Sequence, residues 1–295
     1  MPPLVLLLIA LAAVLHATWN VMLKTSGDPL RTSGRGMIAG TLIGLPLAGA
    51  AWLVAGRPGI PPEAWVLGIV SGLVEVVYLV LLAGAYRRGD LSVVYPIARG
   101  TAPVLTVLSG VVLLQEQVSG AAAMGLAILI GGLIVVQRPW RLLHGGRRLD
   151  SAVPWALACG VSIATYSTID RVGVRLVEPW LFAAILFPVC AVGLAFWIRF
   201  VDRASVAGTT EAPSWGRASI AGSAAVATYV LILAAYALAP LSIVSPLRES
   251  AIVLVSVWGS FRLAESINRR DGLARVGGAA LIVAGALVVA VAPYG

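Results

Sequence analysis

Charged residues are scarce in this chain. Asp, Glu, Lys and Arg make up 12% of its 295 residues, hydrophobic residues make up 59%, and the mean hydropathy is +0.95. A water-soluble protein of this size needs many more polar residues to cover its surface. The composition excludes a soluble globular domain and predicts an all-α integral membrane protein.

Cysteine and histidine are also scarce. Cys159 and Cys190 are the only cysteines, only two histidines occur, and each cysteine lies in an apolar run without metal-ligand spacing. The 21 Lys and Arg residues outnumber the 13 acidic ones, but they fall in short turns and form no nucleic-acid-binding stripe. The sequence predicts no disulfide, no metal site, no cofactor and no nucleic-acid partner.

Patterns typical of enzymes and channels are missing too. The sequence contains no Gly-x-Ser-x-Gly segment, no phosphate-cradling loop and no filter-like loop. We therefore predict that the protein is not an enzyme, and a membrane enzyme acting on lipid-linked substrates is only a distant alternative.

Long apolar runs dominate what is present. A membrane-spanning helix needs about 20 apolar residues, and ten such runs occur, at about 4–23, 36–55, 65–86, 91–114, 120–137, 152–170, 180–198, 217–238, 241–261 and 274–292. The most polar linker, 138–151, separates five runs from five. We predict a first five-helix repeat at 1–137 and a second at 152–295.

The two halves resemble each other in sequence. Residues 86–96 read YRRGDLSVVYP and residues 236–246 read YALAPLSIVSP, while HATWNVMLK at 16–24 matches IATYSTIDR at 163–171. Because each unit has an odd number of spans, the second copy enters the membrane inverted. Two inverted five-helix repeats are typical of proteins that work by alternating access.

The distribution of Lys and Arg predicts the orientation. Sixteen of the 21 lie in loops on one side, three lie on the other side, and Arg99 and Arg248 lie within spans. Because basic loops stay in the cytoplasm, the pattern places both termini outside.

The ordered features resemble the EamA-like branch of the drug/metabolite transporter superfamily. They are ten spans in two halves, Trp19 near the end of the first span, Leu-Ser-Val-Val-Tyr-Pro at 91–96, and Glu116 matched by Glu265. The resemblance implies a secondary carrier, often an exporter of amino acids or other small metabolites, with a central cavity between the halves. It also implies a multi-pass protein of a bacterial plasma (inner) membrane. Members commonly have cytoplasmic termini, so the charge distribution here departs from the family.

Ionisable residues within spans are costly and normally face a cavity or a partner. Arg99 and Glu249 are 150 positions apart and therefore occupy equivalent places in the repeats. If they lie near a pseudo-two-fold axis, Arg99 and Glu249 would form a structural ion pair. The alternative is that one of the two arginines, Arg99 or Arg248, holds a substrate carboxylate or phosphate. Arg248 and Glu249 are not expected to neutralise each other, because neighbours in a helix point about 100° apart.

Glu75 lies at the centre of the third span and has Ala225 as its counterpart. It is a candidate to carry a coupling proton or to bind a substrate ammonium, and the alternative is a protonated glutamate hydrogen-bonded to a neighbouring helix. Tyr78 follows at helical spacing and shares the face of Glu75.

A polar stripe in the first span contains His16 and Asn20 beside Trp19. His16 is a second coupling candidate, and an interhelical hydrogen-bonding pair is the alternative. Trp19 and its counterpart Tyr166 are expected to line the cavity or to anchor the spans at the interface. Tyr95, in the 91–96 motif, is a further candidate for substrate binding.

Several features favour structural roles. Pro96 and Pro246 occupy equivalent helices and are predicted hinges, because proline removes a helical hydrogen bond. Gly36, Gly40 and Gly44 predict close helix packing. Among residues at span ends, Glu116 and Glu265 are expected to stabilise turns, and Asp170 and Arg171 are expected to be solvated.

These patterns predict a secondary transporter in the lipid bilayer that moves a small-molecule substrate, with an amino-acid-like zwitterion favoured and protons as a candidate coupling ion. The alternative substrate is an anionic phosphorylated sugar or lipid headgroup. One chain completes both halves of the cavity, so a monomer is sufficient, and a dimer is compatible with the sequence. The predicted substrate-binding residues are Glu75, Tyr78, Arg99, Arg248, Glu249, Trp19, Asn20, Tyr95 and Tyr166.

Overall fold

The protein is helical throughout the part that the structure describes. That part of the computed structural model comprises residues 2–24, 26, 28–88, 91–137, 149–202, 214–249 and 269–292. It contains α1 Pro3–Lys24, α2 Pro29–Val54, α3 Pro62–Arg88, α4 Leu91–Val112, α5 Gly120–Gln137, α6 Leu149–Gly173, α7 Pro179–Phe196, α8 Trp215–Leu238, α9 at 241–249 and α10 Arg269–Val291, and a π-helical turn, Trp197–Val201, extends α7. The all-α prediction is confirmed.

Helix boundaries differ from the apolar runs where polar residues cap a helix. The α2 helix begins at Pro29, seven residues before the predicted span, with Asp28 accepting the Arg31 backbone N–H at 3.1 Å. The side chain of Asp28 satisfies a backbone donor of the first turn, and Pro29 fits that turn because it has no N–H to satisfy. Hydrophobicity marks only the membrane-embedded part of such a helix.

Five helices in the described part are long and apolar enough to cross a membrane by length and composition. They are Pro29–Val54, Pro62–Ala85, Ala152–Gly173, Pro179–Val201 and Trp215–Leu238, and shorter apolar helices occur at Pro3–His16, Ile97–Val112, Gly120–Val136 and Val276–Val291. Large apolar side chains such as Leu47, Val54 and Val192 are exposed on the outside. An apolar exterior over continuous helices suits hydrocarbon, in which the backbone must be hydrogen-bonded internally. These features indicate a multi-pass membrane protein.

The helices of the two halves are interleaved. The α3 helix packs against α6 and α7 of the second half, and α8 packs against α1 and α2 of the first half. The α2 helix also packs against α7, and α5 against α10. When the halves are exchanged, the packing of α3 on α6 and α7 maps onto that of α8 on α1 and α2, and the α2–α7 and α5–α10 pairings map onto themselves. The third helix of each half is therefore packed mainly against helices of the other half.

Glycines permit the closest of these helix contacts. A Cβ atom built on Gly36 of α2 would lie 3.1 Å from the Cα of Gly222 in α8, and one on Gly40 would lie 2.9 Å from the Gly222 carbonyl oxygen. Gly44, by contrast, approaches only Val226, at 3.9 Å. Close packing is confirmed at Gly36 and Gly40, and Gly44 lies where the two helices diverge.

Glu116 links the end of α4 to the beginning of α9. Its carboxylate oxygens accept the backbone N–H groups of Leu241 and Ser242 at 2.7 and 2.9 Å, and it pairs with Arg171 at 3.2 Å. Because the first N–H groups of a helix lack partners within the helix, a carboxylate there stabilises the helix start. The structural role predicted for Glu116 is confirmed, whereas Arg171, expected to be solvated, is bonded to protein. Glu265 lies outside the described residues.

Candidate functional site

A cavity lies between the two halves, among α1, α2, α3, α4, α6, α7, α8 and α9. Its free space, with the open mouth included, is about 590 Å³. The ionisable and aromatic side chains that line it are His16, Trp19, Glu75, Tyr78, Arg99, Tyr166, Phe187, Tyr229 and Arg248. Most residues predicted to bind substrate are therefore brought together at one place.

Arg99 of α4 and Glu249 of α9 form the ion pair expected from the repeat. Nη1 of Arg99 donates to the two carboxylate oxygens of Glu249 at 3.1 and 3.3 Å, and Nη2 donates to the Tyr78 hydroxyl at 3.3 Å. Arg99 is 6% exposed and Glu249 is 2% exposed. The pair joins equivalent helices of the two halves inside the bundle.

Arg248 bonds the same carboxylate, and the prediction that Arg248 and Glu249 do not neutralise each other is wrong. Nε and Nη2 of Arg248 donate to Oε1 of Glu249 at 3.2 and 3.0 Å. The 100° separation of neighbouring residues describes where their side chains leave the helix. The arginine side chain is long enough to curve back, so two guanidinium groups share one carboxylate.

Only the two arginines of this three-residue cluster line the cavity. Arg99 and Arg248 line it, whereas Glu249 lies behind them and does not. Nη1 of Arg248 has no hydrogen-bond partner among the described residues, although Arg248 is only 9% exposed. A guanidinium group whose N–H donors at a cavity wall meet no protein acceptor is suited to bind an anionic oxygen.

Glu75 provides the carboxyl group of the cavity. It is 7% exposed, lines the cavity together with its repeat counterpart Ala225, and lies close to the thiol of Cys190. It forms no ion pair with any residue that the structure describes. Glu75 can therefore offer its carboxyl group to a ligand without breaking a salt bridge.

Asp170 is the main residue that the sequence interpretation missed. It was expected to be solvated near the end of the sixth span, but it is fully buried and accepts hydrogen bonds from Ser71 of α3 and Tyr229 of α8. It also lies close enough to Glu75 to interact with it electrostatically. The wrong expectation has a physical cause: α3 and α8 cover this end of α6, and no local pattern in α6 reports that.

The bond between Asp170 and Tyr229 gives a first testable prediction. We expect Asp170→Ala and Tyr229→Phe each to lower the free energy of unfolding by about 2 kcal/mol, because each leaves a buried polar partner unsatisfied. The double variant should lose about 1–2 kcal/mol less than the sum of the single losses. Chemical unfolding in detergent would measure this coupling.

Thr165→Ala is the matched control for these variants. Thr165 is an exposed residue of the same helix, and its hydroxyl group bonds only the Val161 carbonyl of that helix. Its replacement should leave the unfolding free energy nearly unchanged in either background. Strictly additive losses for Asp170→Ala and Tyr229→Phe would show that the two side chains are not bonded.

Aromatic rings form a continuous wall. Tyr166 contacts Tyr78 and Tyr229 edge to face, with ring centroids 5.8 and 5.9 Å apart, and Phe187 meets Tyr229 at 5.9 Å. His16 and Trp19 form a further edge-to-face pair at 5.1 Å. The rings offer an apolar surface beside the charged groups, which suits an amphipathic ligand.

Some predicted residues cannot be placed in the site. The side chains of Asn20, Tyr95 and Pro96 lie outside the described part, although their backbones belong to α1 and α4. Pro246 is buried in α9, two residues before Arg248. The hinge role of Pro96 and Pro246 stays a prediction.

Comparison with known proteins agrees with this geometry. No curated protein matches the sequence. A crystal structure described only as that of a protein shares the fold, with a TM-score of 0.72 and 21% identity over 97% of this chain and 98% of the other. The model of the EamA-like transporter family matches twice, at residues 3–138 and 150–291. Since the two matches cover nearly the whole sequence, the chain belongs to the EamA-like transporter family, a family of membrane transporters in the drug/metabolite transporter superfamily.

Proposed function

We propose that this membrane transporter carries a small amino-acid-like zwitterion by secondary-active alternating access. The observation that carries the proposal is that Arg248 and Glu75 line the same cavity. The guanidinium group would receive the substrate carboxylate, and Glu75 would receive the ammonium group. The aromatic wall would contact the remaining, less polar part of the substrate.

The proposal takes all ten helices as spans arranged in two inverted five-helix repeats. The interleaved packing supports this arrangement, because the packing of α3 on α6 and α7 maps onto the packing of α8 on α1 and α2 when the halves are exchanged. Interleaving also favours moving units that combine helices from both halves, such as α3 with α6 and α7. A relative tilt of these units would expose the cavity to each side in turn.

Protons are the proposed coupling ion. Glu75 and His16 both line the cavity, so a proton bound at either would sit beside the substrate. Binding of a proton and of a substrate ammonium to Glu75 would be mutually exclusive. Such competition is a direct way to couple proton movement to export or exchange of the substrate.

Counterflow in proteoliposomes tests the proposal. Purified protein would be presented with labelled amino acids, organic cations and sugar phosphates, with and without a pH gradient. We expect an amino acid to be exchanged, and we expect Glu75→Gln to lower its kcat/KM about tenfold, because an amide binds ammonium less strongly than a carboxylate does. Glu63→Gln is the control, since Glu63 is an exposed residue in the first turn of the same helix.

Other outcomes would favour other functions. Exchange of phosphorylated compounds alone would favour the anionic substrate class, for which the presence of two arginines at the cavity is the supporting observation. Glu75→Gln would then leave transport unchanged. Absence of any counterflow from a correctly folded preparation would contradict carrier function.

We also propose a bacterial plasma-membrane location with both termini outside, based on the excess of Lys and Arg in the loops of one side. Cysteines placed at either terminus and labelled from outside intact cells with an impermeant reagent would test the orientation. Protection of both from the reagent would reverse it.

A further inference from the structure

Glu249 accepts hydrogen bonds from two arginines that line the cavity, but Glu249 itself does not line it. Arg99 reaches its carboxylate from α4, and Arg248 reaches Oε1 from the neighbouring position on α9. We call these three residues the anion wall. With two guanidinium groups and one carboxylate, the wall carries a net charge of one positive unit.

Two other buried acidic groups, Glu75 and Asp170, interact electrostatically with Arg248. Neither Glu75 nor Asp170 forms an ion pair with Arg99 or Arg248 in the described part of the chain. Glu75 lies close to the Cys190 thiol, and Asp170 accepts hydrogen bonds from Ser71 and Tyr229. Glu249 is thus the carboxylate that directly contacts both guanidinium groups.

We infer that Glu249 makes the site selective for substrates that present a singly charged anionic group, such as a carboxylate, over those that present a phosphate dianion. This inference deepens the proposed function and rests on it, because it takes the cavity as the substrate site. Glu249 does not line the cavity, so it acts through the two arginines: it is a positioning residue that sets the net charge they present to the substrate.

The selectivity follows from how two electrostatic energies scale with charge. The cost of removing an ion from water grows with the square of its charge, whereas its attraction to a fixed wall grows only in proportion. A dianion therefore costs about four times as much to desolvate as a monoanion of the same size but gains only about twice the attraction. A wall of one net positive charge favours the monoanion, and a second unit of charge shifts the balance towards the dianion.

Methyl phosphate and dimethyl phosphate at pH 8 are matched probes of this balance. The monoester is then close to a dianion, because its second pKa is about 6, and the diester is a permanent monoanion. Their affinities for the purified protein can be obtained from the concentration dependence of the thermal unfolding midpoint. This readout does not require transport.

We expect dimethyl phosphate to bind more tightly to the wild-type protein. Glu249→Gln should shift the affinity ratio about tenfold in favour of methyl phosphate, because the wall gains a unit of positive charge. Arg99→Gln combined with Glu249→Gln should restore the wild-type preference, since the net charge returns to one unit. Glu178→Gln, at an exposed residue preceding α7, should leave the ratio unchanged.

An unchanged ratio of the two phosphate affinities in Glu249→Gln would overturn the inference. An equal shift of that ratio in Glu178→Gln would also overturn it. So would the failure of both phosphate probes to stabilise the wild-type protein. If Glu249→Gln does not fold, Arg99→Gln provides the opposite test. It should weaken methyl phosphate more than dimethyl phosphate, and equal weakening would contradict the inference. Selective binding without counterflow would refute the proposed transport alone, whereas amino-acid counterflow with an unchanged ratio would refute only the role of Glu249.

Discussion

Arg248→Gln is expected to lower the kcat/KM for counterflow about 100-fold, a loss of about 2.7 kcal/mol. Arg248 lines the cavity, is largely buried, and has Nη1 donors that meet no acceptor among the described residues. A charge-assisted hydrogen bond contributes about 1.5–3 kcal/mol. The expected loss corresponds to one such bond with the anionic group of the substrate.

Folding should survive this substitution. Glu249 keeps its hydrogen bonds from Arg99 when Arg248 is replaced, so no buried charge is left alone. The unfolding midpoint in detergent would establish this independently of activity. A large loss of transport at nearly unchanged stability would place Arg248 in direct contact with substrate.

Two further variants show whether transport depends on the charge and the planar shape of the Arg248 guanidinium group or on the loss of any cation. Arg248→Lys keeps the charge but lacks the planar fork of donors, so it should recover only part of the activity. Arg175→Gln removes a cation from the exposed turn after α6 and should leave counterflow unchanged. Transport by Arg248→Gln within a few-fold of wild type would contradict the assignment.

The internal repeat predicted a contact correctly where equivalent positions of the two halves lie close together. The pairing of Arg99 with Glu249 was predicted because the two positions are 150 residues apart in a duplicated chain, and the ion pair is present at 3.1 Å. Glu75 was predicted from its polarity within an apolar run, Tyr78 from its helical spacing from Glu75, and Trp19 from its repeat counterpart, and all three line the cavity. An isolated polar residue inside a span must find a polar environment, and a central cavity provides one.

The sequence could not show which helices cover one another. Asp170 lies three residues from the end of α6 beside an arginine, which in a single helix is typical of a solvated end. It is buried because α3 and α8 reach across from separate parts of the chain, with Ser71 and Tyr229 as its partners. The interleaving of α3 and α8 is a property of the packed bundle, so no local pattern could have predicted it.

Side-chain length accounts for a second failure. Arg248 and Glu249 leave the helix about 100° apart, but the long side chain of Arg248 brings its guanidinium group within 3.0 Å of Oε1 of Glu249. A shared carboxylate could still have been proposed from the neighbouring charges. Whether Glu249 faces the cavity or lies behind the arginines depends on packing alone.

Gly222→Ala should prevent normal packing of α2 on α8. A Cβ atom at this position would overlap the carbonyl oxygen and the Cα atom of Gly36. Both atoms belong to backbone, so no flexible side chain can move aside. The two helices would have to separate, and helix association in a bilayer depends on such close packing of small residues.

We expect Gly222→Ala to lower stability by about 3 kcal/mol and the unfolding midpoint by roughly 10 °C, since each kcal/mol shifts a chain of this size by about 2–4 °C. Gly216→Ala, in the same helix, is the control, because its Cβ atom would meet nothing within 4 Å. Fluorescence-detected size exclusion after heating would compare the two. If Gly222→Ala were as stable as Gly216→Ala, α2 and α8 could not be in backbone contact at Gly36, and the interleaving of the two halves would be incorrect.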